Sequence, residues 1–212
     1  MTSRLFSTLR RYLPVAAVFC SVALLSGCAS FYLDPATKDV PVAEMHHAAA
    51  PQPVRLNFEF QTRGAPNSRA TEFLTPAVRE QLLASGLFSS LDGGPNAAIL
   101  EIKLNNIPLN DDSPAAKGFV TGFTFGLVGS QVSDGYECKL SYLPPGQSAP
   151  VTKVARHAIH ATLGNASPPP GTIKAADGGA AVKQMTHAVL SNALRDLSRD
   201  PAFENPPKTS MQ

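Results

Sequence analysis

Between Val54 and Gln61 the chain alternates apolar and polar residues without a break, Val54-Arg55-Leu56-Asn57-Phe58-Glu59-Phe60-Gln61. That two-residue period predicts a strand with Val54, Leu56, Phe58 and Phe60 on one buried face. The period then changes. Over Thr71 to Ser85, Leu74, Val78 and Leu82 fall four residues apart, the stripe of an amphipathic helix. Thr75-Pro76 suits either its cap and first position or the first turn of a helix that starts a few residues earlier. Gly86 fits the left-handed position past the helix end, with Leu87 free to fold back onto the last turn. Alternation returns from Ala98 to Asn105, where Leu100, Ile102 and Leu104 share a face, and again in Asp134 to Leu143 and Val151 to Leu163. These last two flank Pro144-Pro145-Gly146-Gln147 and therefore predict an antiparallel hairpin. A loop rich in Pro and Gly, Gly164 to Gly179, leads to a second helix, Ala180 to Ser198. Its Val182, Met185, Val189, Ala193 and Leu197 form one stripe, and Asp200-Pro201 closes it.

The order β-α-β-β-β-α predicts an α+β fold: a two-layer sandwich in which a four-stranded mixed sheet carries two helices on one face. A strand, a helix and a strand in succession imply a right-handed crossover and a parallel first pair. The domain is expected to span 54–203, with a mobile polar tail over 204–212. No internal repeat is visible.

One connection breaks the pattern. Between the second and third predicted strands runs Gly118-Phe119-Val120-Thr121-Gly122-Phe123-Thr124-Phe125-Gly126-Leu127-Val128-Gly129, without a charge. Connections normally face water and are polar, so an apolar run of this length, an insertion over 118–132, needs a partner. As a helix it sets Gly118, Gly122 and Gly126 in a small-residue seam. As a strand it puts Phe119, Phe123, Phe125 and Leu127 on one face. It can pack into the domain, touch lipid or another membrane protein, or form a self-association seam. Gly118, Phe119, Gly122, Phe123, Phe125, Gly126 and Leu127 are the candidate contact residues.

Upstream, Arg4, Arg10 and Arg11 precede the apolar run Val15 to Leu25, and no acidic residue occurs before Cys28. A positive start, a short apolar core and small residues at a cut site make a secretory signal. The run is much shorter than the roughly 20 residues that cross a bilayer as a helix. At its end Leu25-Ser26-Gly27-Cys28 resembles the lipobox of bacterial lipoproteins. That resemblance implies removal of residues 1–27 and diacylglycerol on the sulfur of Cys28, with a third chain on its amine in many bacteria. Each buried methylene contributes about 0.8 kcal/mol, so two or three chains anchor durably where one does not. From Ala29 to about Pro53 the chain is rich in Ala and Pro and lacks a period, so 28–53 reads as a lipidated N-terminus and semi-extended tether, and His46-His47 as solvated linker.

Cleavage changes the charge. Three of 18 Lys and Arg leave and all 16 Asp and Glu stay, giving 15 basic against 16 acidic residues. A near-neutral chain offers no basic face for nucleic acid. Of three cysteines, Cys20 leaves with the signal and Cys28 is acylated. Cys138 stands alone, which excludes an intramolecular disulfide. Chemistry is sparse. Cys138 with His157 or His160 is the one Cys and His combination that hairpin strands could bring together, yet Cys138 sits mid-strand among Tyr136, Leu140 and Tyr142, as a core residue does. His157 and His160, three apart on a strand, point to opposite faces and cannot share a metal. His187 reads as an ordinary surface or boundary residue, and the glycines at 118 to 129 match no nucleotide-binding spacing.

The lipobox and element order together resemble the small lipid-anchored α/β sandwiches of Gram-negative envelopes, such as the lipoprotein subunit of the lipopolysaccharide translocon and the auxiliary lipoproteins of ABC transport systems. The resemblance implies a non-enzymatic binding or scaffolding protein with an envelope protein or glycolipid as partner. No cofactor, metal or catalytic residue is expected. Ala29 after the cysteine, where Asp would signal inner-membrane retention in enteric bacteria, implies the periplasmic face of the outer membrane. A periplasmic hydrolase using Cys138 and a self-associating structural lipoprotein are the alternatives.

Overall fold

The structure is a computed structural model that describes residues 29–47, 50–109 and 131–204. Cys28 with Leu25, Ser26 and Gly27, and all the candidate contact residues from Gly118 to Leu127, lie outside the described residues.

The long strands and both helices fall where the period puts them. β2 is Gln52–Thr62, β5 Ala98–Pro108, β6 Gln131–Leu143 and β7 Val151–Leu163. Helix α1, Ser68–Ala84, connects β2 to β5, and these two strands run parallel from Val54 opposite Ala98 to Thr62 opposite Asn106. β5, β6 and β7 are antiparallel neighbours, and β6 and β7 turn at 144–150 as expected of a hairpin. Helix α2 is Gly178–Ser198, capped by the Asp177 carboxylate, which accepts from the Ala180 amide at 2.7 Å. The fold is a mixed α+β arrangement on one large open sheet.

Among the described residues the sheet has eight strands, where the sequence predicts four. The additions are β1 (Ala29–Leu33), β3 (Ala65–Pro66), β4 (Phe88–Ser90) and β8 (Ile173–Lys174). Their order is β3-β2-β5-β6-β7-β1-β8, with β4 beside β2. Each is two to five residues long, too short for a period to declare itself. β2 consequently lies near one edge, and β6 takes the middle.

The proposed tether needs the larger correction. Ala29–Leu33 is a strand paired with β7 over five positions, and the chain after it is strapped across α2. The Val40 amide donates to Ser191 Oγ at 2.9 Å, Asn192 Nδ2 to the Lys38 carbonyl at 2.8 Å, and the His46 amide to Ser198 Oγ at 3.0 Å. Val40 and Met45 are buried beneath the strap. Isolated anchors of this sort leave no repeating signature. The insertion is also shorter than predicted at its end, because Gln131 and Val132 already belong to β6.

α1 starts at Ser68 behind an Asn67 cap, so Pro76 sits well inside it, beyond both predicted placements. The ring removes the hydrogen bond that would reach the Glu72 carbonyl. Both residues are exposed, so water can take that carbonyl. Gly86 ends the helix at φ +68°, as its position implied. Against the sheet, Leu74, Val78 and Leu82 of α1 and Met185, Val189, Ala193 and Leu197 of α2 close over Val54, Leu100, Ile102, Leu104, Cys138 and Leu140. Each such fully buried aliphatic side chain contributes about 1.5–3 kcal/mol.

Candidate functional site

Two polar features depend on the strap that sequence reading took for a tether. The first lies on the sheet face away from the helices. β1 hands the chain to Asp34, whose amide donates to the Ala158 carbonyl of β7 at 3.0 Å. The Asp34 carboxylate receives the Ala36 amide at 2.8 Å and His160 Nε2 at 3.1 Å, and His160 Nδ1 lies 2.8 Å from Ser133 Oγ on β6. Nε2–H donates to the carboxylate, and Nδ1 shares a hydrogen with the serine hydroxyl. Serine, histidine and aspartate are thus in line across three strands, β6, β7 and β1.

The order of atoms and the burial decide what this line can do. Relative exposures are 7 % for Ser133, 0 % for His160 and 1 % for Asp34, so the line is enclosed. It acts as a pin that locks β1 onto β7 and β6. Removing one member would leave its neighbours buried and short of a partner, at about 1–3 kcal/mol each.

The second feature is a cleft of about 580 Å³ on the opposite side, between the strap, β8 and α2. Leu33, Pro35, Ile173 and Ala188 give it apolar walls. His157 lines its base and is 2 % exposed, with Nδ1 held 2.9 Å from the Ala158 carbonyl oxygen. Burial pushes the His157 imidazole below its ordinary range, against the opposing pull of the Ala158 carbonyl and the Asp34 charge. At the mouth, His187 Nδ1 meets Asp39 Oδ1 at 2.7 Å, and Lys38 extends beside them. The pocket is of the size and apolar character of small-molecule sites, with a few converging polar groups.

His157 and His160 do face opposite sides of β7, one in each feature. Cys138 is a core residue 1 % exposed, and burial pushes its thiol up to about 12. The thiolate needed for nucleophilic chemistry is therefore scarce near neutrality. Cys138 lies opposite Ala155 in β7, while His157 bonds to Ala158 and His160 to Ser133 and Asp34. Among the described residues no group of three or more His, Cys, Asp or Glu could hold a metal ion. Sequence reading missed Asp34, Lys38 and Asp39 because they belong to the strap. Their only signal was the Leu33-Asp34-Pro35 punctuation at the end of a short apolar run.

A third geometric fact concerns the end of the sheet. Ala29 is paired with Leu163, Ser30 with Thr162, and Gln131 with Thr162 from the other side. Val132 and Leu163, 44 % and 49 % exposed, are diagonal neighbours on adjacent strands there. Gly178, at the start of α2, packs so closely on Phe31 that an added Cβ would lie 3.1 Å from its ring. β5 also reaches this end, where Pro108 pairs with Asp134. No described helix is long and apolar enough to cross a membrane.

The chain matches no family model and no curated protein. Among solved structures it is similar to a chain described as a "putative lipoprotein from Caulobacter crescentus CB15", at 14% identity and a TM-score of 0.27, over 68% of this chain and 84% of that one. An overlap this loose carries no argument about fold or role.

Proposed function

We propose that this protein is a lipid-anchored envelope lipoprotein whose domain is held flush against the bilayer and works by binding rather than by catalysis. The observation that carries the reading is the start of β1 at Ala29, the residue after the lipobox cysteine. With acyl chains on Cys28, no spacer separates lipid from sheet. The end of the sheet bearing Ala29, Val132 and Leu163 then meets the headgroups, and its two exposed apolar side chains suit that contact. The connection that carries Gly118, Phe119, Gly122, Phe123, Phe125, Gly126 and Leu127 leaves β5 and enters β6 at this same end. Its uncharged residues are proposed to contact lipid or a neighbouring envelope protein or glycolipid. Ala29 after the cysteine favours the periplasmic face of the outer membrane.

The binding role is supported by where the reactive groups lie. Cys138 is in the core, and the Ser133, His160 and Asp34 line is closed to solvent. The cleft beside α2 is open and has the build of a binding site.

Cells fed an alkyne analogue of palmitate should label the wild-type protein and leave Cys28→Ala unlabelled, with wild type alone pelleting with outer membranes. Equal labelling of the two, or wild type free in the periplasm, would defeat the proposal.

A further inference from the structure

The cleft is a site in its own right, independent of how the chain is anchored. We infer that it takes a small amphipathic monocarboxylate, its apolar body between Leu33, Ile173 and Ala188 and its carboxylate at Lys38.

Size limits the guest first. The space is about 580 Å³. A water molecule's share of liquid volume is about 30 Å³, so the cleft holds on the order of ten to twenty heavy atoms. That is a medium-chain acid and excludes a whole phospholipid. Polarity selects within that size. Leu33, Pro35, Ile173 and Ala188 are apolar, and burial disfavours the charged form of His157 at the base, so the deep part favours an apolar tail.

Charge then orients it. Two carboxylates line the cleft: Asp34 is buried and held by His160 and the Ala36 amide, and Asp39 at the mouth is engaged by His187 at 2.7 Å. Lys38 is exposed, its backbone is fixed by the bond from Asn192, and its ammonium makes no ion pair among the described residues. An ammonium carried at the rim of an apolar slot on a fixed backbone, with its acidic neighbours already paired, complements a carboxylate. A cationic head would forgo the pair with Lys38, and an uncharged one would gain only the walls.

Octanoate is a suitable probe, with octylamine as the same chain bearing the opposite charge. The full-length lipidated protein in phosphatidylcholine nanodiscs would be dialysed to equilibrium against each labelled compound, with empty nanodiscs subtracted. Saturable octanoate binding in excess of octylamine is expected. Lys38→Glu should weaken octanoate by about tenfold, which corresponds to about 1.4 kcal/mol. Lys38→Arg should retain binding, and Ala188→Leu should abolish it by filling the slot. Lys38 is exposed, so its variants should keep the wild-type melt. Absence of saturable binding, equal binding of the amine, or octanoate binding indifferent to Lys38→Glu would overturn the inference.

Discussion

Ala29 faces Leu163 across β1 and β7, at the end of one of the two longest strands in the described sheet. The residue next to the lipidation motif is thereby a structural member of the domain. Strap, pin and cleft all follow from that pairing, because β1 delivers Asp34 to His160 and carries the next residues across α2. The pin should be costly to break. Asp34→Ala would strip the carboxylate from His160 and from the Ala36 amide, and unfolding in urea should show a loss of about 1–3 kcal/mol, chiefly from the buried His160 side chain losing a partner. A loss confined to a few tenths would mean that β1 is dispensable to the fold.

The sheet core gives a ranking. Leu100 is fully buried on β5, while Phe58 on β2 is only partly buried. Leu100→Ala should cost about 2–5 kcal/mol, and Phe58→Ala less than the 3–5 kcal/mol of a fully enclosed phenylalanine. Chemical denaturation of both variants checks the order. The alternation at Val54 to Phe60 placed Phe58 on the inward face correctly, but alternation says nothing about distance from the sheet edge. That distance is set by β3 and β4, which are too short to read.

His157 predicts an acid limb. Burial lowers its pKa in the folded protein below the ordinary 6.5, so the unfolded chain binds the proton more tightly. The neutral form's contribution is fully present above about pH 6.5 and is lost as pH falls through the folded value. Stability measured from pH 7 to pH 5 should therefore decline, and His157→Phe should flatten that decline. An equal slope in both proteins would remove His157 from the account.

Cys138 should be inert in the native state. With the thiol pushed up to about 12 and its side chain in the core, iodoacetamide at pH 8 should leave it unmodified until denaturant is added. Rapid native alkylation would reopen the hydrolase alternative. This residue was legible in advance, since its neighbours Tyr136, Leu140 and Tyr142 follow a strand's period. The Ser133, His160 and Asp34 line was not. Its members are joined by register between β6, β7 and β1, and β1 is five residues with no polar alternation to mark it. The cleft was hidden for the same reason, as Lys38 and Asp39 acquire their position from the strap's hydrogen bonds, Lys38 with Asn192 and Val40 with Ser191, rather than from any repeat.

Where the domain stands relative to lipid can be read from two labels on one strand pair. Twelve steps of about 3.3 Å separate Val151 from Leu163, so the β6–β7 turn lies about 40 Å from the anchored end. A fluorophore would be attached to Leu163→Cys or, at that turn, to Ser148→Cys, in the full-length lipidated protein in liposomes bearing headgroup nitroxides. Acylation of Cys28 and burial of Cys138 leave the introduced thiol as the one to react. Strong quenching at 163 with little at 148 is the predicted result. Equal quenching at both sites, or stronger quenching at 148, would contradict a domain held flush to the membrane by the Ala29 end.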